Sequence, residues 1–274
     1  FVGADHVLNT LKLRASYGST GNQGVGGYYV GYETISGGTG YGANQAYFPG
    51  IADKNLKWET TTQLNVGLDF GIYNRLTGSV DVYSKNTTDL FFLTELPTST
   101  GYSSVNKNVG EMTNKGIELE LNYSIFRNDD WNVNAFFNGA YNKNEITKLD
   151  GIQNFQGSGS TRLQVGESFG AFNVVRYAGV DPSSGQPLYY DIDGNVTNFY
   201  SESDRVSIGK QFIPKYTGGF GLNASYKGFQ LSTLFSFAAE QYRNNSSLSI
   251  IEDHSIAGFA NQSVSMLSAW QNPG

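Results

Sequence analysis

Strict two-residue alternation constrains this chain more than any other feature. After Gly116, the residues Ile117, Leu119, Leu121 and Tyr123 alternate with Glu118, Glu120 and Asn122. From Trp131 onward, Trp131, Val133, Ala135, Phe137, Gly139 and Tyr141 fall opposite Asn132, Asn134, Asn138 and Asn142. Successive side chains of a β-strand leave opposite faces, so such runs read as strands with one apolar and one polar face. The polar stretch Arg127-Asn128-Asp129-Asp130 between them is a short turn. The unit recurs with Leu64, Val66, Leu68, Phe70 and Ile72, the turn Tyr73-Asn74-Arg75, then Leu76, Gly78, Val80 and Val82. It recurs again with Phe220, Leu222, Ala224 and Tyr226, the turn Lys227-Gly228, then Phe229, Leu231, Thr233, Phe235 and Phe237. Leu11, Leu13, Ala15 and Tyr17 add one more, so the pattern predicts an all-β chain of about seven long antiparallel strands.

The connections are unequal. Tight turns fall at 73–75, 127–130 and 227–228, while long loops are expected at about 18–59, 87–110, 143–215 and 242–274. Soluble sandwiches favour strands of about five or six residues with a turn signal every 8–12. Long strands, short turns on one side and long loops on the other are instead the signature of a transmembrane β-barrel. From Trp131 to Tyr141, roughly ten steps of about 3.3 Å at a tilt of about 40° rise about 25 Å, the height of a lipid-facing apolar band. Tyr123, Trp131, Tyr226 and Phe229 would form an aromatic girdle near the short turns, and Tyr17, Tyr141 and Phe237 the opposite girdle. Lumen-facing candidates are Glu118, Glu120, Asn122, Asn132, Asn134 and Asn138. The competing reading is a soluble β-rich binding or adhesin-like module whose aromatics fill a core. Exposure separates the two: a barrel leaves Ile117, Leu119, Leu121, Trp131, Val133 and Phe137 uncovered by protein, whereas a sandwich buries them.

Composition narrows the function classes. The 274 residues carry no Cys, two His, 14% aromatic and 15% charged residues, and a net charge of −6. No disulfide framework, Cys-ligated metal or cysteine nucleophile is available. The acidic balance argues against a nucleic-acid partner, which needs a basic face. The chain begins with Phe1 and ends in Asn272-Pro273-Gly274, and the expectation is a piece of a longer chain.

Several strings resemble those of one family. Leu11-Lys12-Leu13-Arg14-Ala15-Ser16-Tyr17-Gly18-Ser19-Thr20-Gly21-Asn22-Gln23 is similar to a signature of SusC/RagA-like TonB-linked outer-membrane transporters. So are Leu56-Lys57-Trp58-Glu59-Thr60-Thr61, Asn65-Val66-Gly67-Leu68-Asp69-Phe70 and Arg75 through Tyr83 followed by Asp89-Leu90. Asn108-Val109-Gly110-Glu111-Met112-Thr113-Asn114-Lys115-Gly116-Ile117-Glu118 carries the most specific match, and Tyr216 to Gly221 and Tyr226 to Phe229 also fit. One departure is Asp53-Lys54-Asn55, where the family often places Pro and Asp. The resemblance implies a plugged barrel of about 22 strands, of which this chain is a middle-to-late section in the outer membrane. It further implies uptake of a bulky nutrient, usually an oligosaccharide and sometimes a peptide. A SusD-like surface lipoprotein would be the partner, and TonB would couple through N-terminal parts that this sequence lacks.

The residues offer little for catalysis. His6 and His254 lie far apart, and Asp253-His254-Ser255 carries triad residue types without triad spacing. Gly37-Gly38-Thr39-Gly40-Tyr41-Gly42 fits no phosphate-binding fingerprint. Glu118 and Glu120 could reach the separation of a glycosidase pair, but a polar channel wall explains them more simply. Asp191-Ile192-Asp193-Gly194-Asn195 begins like a calcium loop yet has Val196 at the sixth position and no closing Glu, and an Asp-Gly hairpin accounts for it. No cofactor is expected beyond that one possible calcium position. Val264, Leu267 and Trp270 recur at helical spacing and predict a short loop helix. Tyr28, Tyr29, Tyr32, Tyr41, Tyr47 and Phe48 crowd the first long loop, where aromatic faces suit sugars or peptides.

Overall fold

The computed structural model describes residues 7–23, 29, 31–39, 45–150 and 159–273. The strands, in chain order, are β1 (Leu8–Asn22), β2 (Ile35–Thr39), β3 (Gln45–Pro49), β4 (Glu59–Ile72), β5 (Leu76–Glu95), β6 (Ser104–Arg127) and β7 (Trp131–Leu149). There follow β8 (Ala171–Val174), β9 (Arg176–Val180), β10 (Pro187–Tyr190), β11 (Val196–Thr197), β12 (Val206–Gln211), β13 (Tyr216–Tyr226) and β14 (Phe229–Ala239). One helix, α1 (Ser246–Ile251), and short 3-10 turns complete the described residues.

The chain divides into two compact units. The first, Phe1–Phe155 with Leu163–Phe169 and Ile213–Glu240, is dominated by a seven-stranded antiparallel sheet in the order β1-β4-β5-β6-β7-β13-β14. The second, Gln156–Arg162 with Gly170–Phe212 and Gln241–Gly274, holds the sheet β11-β10-β9, the pair β12-β8 and α1.

The tight turns have local causes. Tyr73 and Asn74 both adopt positive φ, and Arg75 N–H reaches Ile72 O at 3.1 Å, the primed turn whose twist matches a hairpin. Lys227 and Gly228 repeat this with φ of 44° and 93°. At the third, Asn128 Oδ1 accepts from Asp130 N–H at 3.0 Å and Trp131 N–H at 2.7 Å, so the side chain closes the turn.

Register carries the expected alternation across the whole sheet. Leu13, Leu68, Val80, Leu119, Gly139, Gly218 and Phe237 form one lateral row by successive pairing. The next row toward the tight turns is Leu11, Phe70, Gly78, Leu121, Phe137, Phe220 and Phe235. A one-residue slip at any pair would turn a polar residue into this face, so seven strands in register fix it strongly. Among the described residues nothing packs over it. Leu13 is 74% exposed and Phe229 79%, and Ile117 and Trp131 are also exposed. Leu119, Leu121, Val133 and Phe137 are half-buried, because flanking side chains within the sheet shade them. None of the six is in a two-sheet core.

Three expected loops differ. The segment 18–59 begins only after Asn22, where β1 ends, and holds the paired strands β2 and β3. The segment 87–110 is mostly strand: β5 continues to Glu95 and β6 begins at Ser104. Asp89 takes φ of 57°, and the register shifts on either side of Leu90. That bulge breaks the two-residue period and so disguises the strand in the sequence. Likewise β7 runs to Leu149, so the connection after it begins only there. The expected helix near the end is a 3-10 turn over Val264–Ser268 with Val264 and Leu267 exposed, while Trp270 donates its Nε1–H to Pro182 O at 3.1 Å.

The small protein core of the first unit lies at its long-loop end. Leu90, Val105, Ile146 and Leu163 are buried, and Ile146 is fully so. Residues 163–169 act as a strap beside β7: Ile146 N–H donates to Glu167 O, and Gly166 N–H to Ile146 O, both at 2.8 Å.

Candidate functional site

The polar face of the seven-stranded sheet gathers the lumen-facing candidates. Glu120 pairs laterally with Asn138, Ser124 with Asn134 and Arg127 with Asn132, while Glu118 and Asn122 sit opposite Ala140 and Phe136. Asn122 donates to Glu120 at 3.2 Å, and Asn134 to Asn132 at 2.9 Å, so amides chain along the strands. A shallow depression of about 490 Å³ opens here, lined by Ser79, Asp81, Glu118, Glu120, Asn138 and Thr217. Its side chains can exchange hydrogen bonds with hydroxyls or amides, and it presents more acid than base.

The structure adds two arrangements that the alternation alone missed. Arg14 on β1 forks over Gly67 to reach two strands at once. Its Nε lies 2.9 Å from Asp69 Oδ1, and its Nη1 and Nη2 hold the Asp81 oxygens at 2.9 and 2.7 Å. A Cβ at position 67 would collide with Asp81 and Arg14, so glycine leaves the corridor for the fork. The bidentate geometry suits a planar guanidinium and would be lost with Lys. Further along, Tyr83 O–H donates to Asn142 Oδ1 at 2.9 Å, and Asn142 to Asn114 Oδ1 at 3.3 Å. Buried Asn144 donates to the same Asn114 oxygen at 3.0 Å and accepts from Ser168 Oγ at 3.1 Å and Phe169 N–H at 2.7 Å. This chain of amides ties the wall to the strap.

Several motif residues prove to be staples at the long-loop end. Asn108 accepts from Lys57 N–H at 2.7 Å, donates back to Lys57 O at 2.9 Å and reaches Asp89 O at 2.6 Å. Glu59 accepts from Asn22 at 3.1 Å and from Phe91 N–H at 3.1 Å. In the sequence Asn22, Glu59 and Asn108 all fall in stretches expected as loops, so no strand period marked them as partners.

The aromatic candidates fall on the apolar face. Trp131 stacks on Tyr226 with centroids 4.2 Å apart, and Phe229 is the direct partner of Tyr226. Tyr123 is exposed nearby, opposite Ala135. At the other end Tyr141 leans on Tyr216 at 5.2 Å, and Tyr17 is exposed on β1. Phe237 departs from the expected girdle. It pairs with Gly218, one apolar row nearer the tight turns than Tyr141, and its ring fills the space that Gly218 leaves empty.

The remaining motifs have plain accounts. Asp253 caps a 3-10 turn by accepting from Ser255 N–H at 2.8 Å, and His254 begins that turn. The Asp191 oxygens accept from Asn195 N–H at 2.8 Å and its side chain at 3.1 Å, closing a hairpin. These donors hold the Asp191 carboxyl below the ordinary range. Among the described residues no group of three His, Asp or Glu side chains is placed to hold a metal ion. Tyr29 and Tyr32 meet edge to face at 6.5 Å, and Tyr47 is exposed on β3. His6, Tyr28, Tyr41, Gly40, Gly42 and the Phe48 side chain lie outside the described residues.

Comparison with known proteins agrees with this two-faced sheet. The family model described as TonB dependent receptor-like, beta-barrel matches residues 2–248. TonB-dependent receptor P3 of Formosa agariphila is 33% identical, across 98% of this chain and 29% of that protein. TonB-dependent receptor SusC of Bacteroides thetaiotaomicron is 31% identical, across 88% of this chain and 26% of that protein. A solved structure of the RagAB peptide transporter superimposes with a TM-score of 0.87 and 32% identity, covering 99% of this chain and 31% of the other. The chain thus spans about three tenths of the length of these relatives. It belongs to the TonB-dependent receptor-like β-barrel family, outer-membrane transporters of the SusC and RagA type.

Proposed function

We propose that this chain is a wall-and-loop section of an energised importer for a bulky polar nutrient, with an oligosaccharide as cargo. The observation that carries the reading is the register-coherent sheet, apolar and uncovered on one face, amide- and carboxylate-rich on the other. In this reading the apolar face meets lipid and the polar face lines the lumen. The tight turns face the periplasm and the long loops face outward, where a SusD-like lipoprotein caps the protein. Energy arrives from TonB through parts of the protein outside this chain. The cargo is moved without reaction: Glu118, Glu120, Asn132, Asn134 and Asn138 exchange hydrogen bonds for those of water as it passes. A second reading, a peptide as cargo, draws on the likeness to the protein described as a peptide transporter.

Cysteine labelling of the full-length protein in outer-membrane vesicles tests the wall. A cysteine at Val66, Val82 or Leu119 is expected to react with a lipid-phase probe, and one at Ser79, Asn138 or Thr217 with a water-soluble probe. The reverse pattern, or uniform water access, overturns the reading. Saturable binding of fluorescent oligosaccharides, weakened by E120A with N138A, supports the first cargo. Saturable binding of peptides alone selects the second, and binding of neither refutes both.

A further inference from the structure

The apolar face of the sheet ends, toward the long loops, in two lysines. Lys115 of β6 and Lys143 of β7 are direct cross-strand partners. They share the face of Ile117 and Tyr141, because each stands two residues further along its own strand. Tyr141 and Tyr216 lie one row below and form the aromatic pair already described. Like charges placed directly opposite destabilise a sheet. Glu145, one row beyond, pairs with Lys143 and is also within electrostatic reach of Lys115. One carboxylate thus serves two ammonium groups. Lys143 remains 61% exposed despite its partner. Lys115 is exposed and makes no hydrogen bond or salt bridge among the described residues.

Height gives this pair its meaning. The climb from Trp131 to Tyr141 matches the thickness of the apolar layer, and two more residues add roughly 5 Å along the barrel axis. An ammonium group inside the apolar layer is costly, whereas just beyond it the group meets lipid headgroups. We infer that Lys115 and Lys143 form a contact for a phosphate-bearing lipid headgroup in the leaflet on the long-loop side. The inference rests on the reading of this face as lipid-facing. The Nζ groups donate to phosphate oxygens, the tyrosine pair below supports the head of the acyl region, and Glu145 competes with the phosphate for Lys143.

The test uses the full-length protein in phosphatidylcholine nanodiscs doped with either phosphorylated lipid A or its dephosphorylated form, with retained lipid counted by native mass spectrometry. The wild type is expected to retain the phosphorylated form preferentially. K115Q and K143Q should each weaken that preference about fivefold, the equivalent of about 1 kcal/mol per lysine near a charged lipid surface. K115R with K143R should keep the preference, and E145Q should strengthen it. Unchanged retention in the K115Q/K143Q double variant overturns the inference. V66C with a lipid-phase probe separates the two failures. If V66C reacts and the lysine variants change nothing, the headgroup contact fails while the wall reading stands. If V66C is reached only from water, both fail.

Discussion

Replacing Ile146 with alanine probes the join between wall and strap. Ile146 is fully buried on β7, and its backbone exchanges both hydrogen bonds with the strap, through Glu167 O and Gly166 N–H. The change deletes three carbons, worth about 2.4 kcal/mol at about 0.8 per methylene. A cavity that does not collapse raises the cost into the range of about 2–5 kcal/mol. The loss falls on the strap, since Ile146 faces Met112 near the irregular end of the β6–β7 ladder but sends both of its own backbone hydrogen bonds to the strap, while the ladders around Val80 and Leu119 lie farther along the strands. Hydrogen exchange on the full-length protein reads it directly. The amides of Gly166 and Phe169 should exchange at least about 50-fold faster, taking tenfold per 1.4 kcal/mol. Those around Val80 and Leu119 should not change. I146V should cost only about 0.5–1.5 kcal/mol. Unchanged exchange at Gly166 and Phe169, or equal acceleration across the wall strands, would mean that Ile146 does not hold the strap.

Other expectations follow from the same geometry. N108A removes both bonds to the Lys57 backbone and the one to Asp89, so trypsin should cut after Lys57 faster than in the wild type, as read on a timed gel. G116A drives a methyl group to within 2.5 Å of the Tyr83 hydroxyl and into the Tyr141 carbonyl. It should cost about 1–3 kcal/mol, seen as a lower temperature for loss of the folded band on unheated gels. The 191–195 hairpin should depend on pH. Donors from Asn195 lower the Asp191 pKa in the folded state, so the ionised form stabilises the turn. That contribution is complete above the ordinary aspartate range of about 4 and disappears as pH falls below it through the lowered folded value. Exchange at the Asn195 amide, compared between neutral and strongly acidic pH, checks this, and D191N should show no such change.

Where the sequence was readable, the signal was local. Ile117, Leu119 and Leu121 declare their shared face by spacing alone, because a strand flips direction at every residue. Asn128 and the Lys227-Gly228 pair declare turns by their own chemistry. At Asp89, by contrast, one residue at positive φ breaks the period, and Thr87–Glu95 and Ser104–Gly110 look like loop in the sequence. The place of Phe237 is not local either, since a girdle position depends on height in the sheet, and only pairing with Gly218 sets that height.

The two faces, the tight turns and the family strings are legible without any fold, because all are properties of neighbours a few residues apart. The sequence could not say which polar residues would meet. Arg14 finds Asp69 and Asp81 across 55 and 67 residues, Asn108 finds Lys57 across 51, and Asn144 finds Ser168 across 24. Each meeting requires strands to be paired in one order and one register, and a shift of a single residue would send every one of these side chains to the other face. Only the tertiary structure could therefore turn polar positions in a pattern into the fork, the staples and the strap, and place two lysines side by side at the edge of the apolar band.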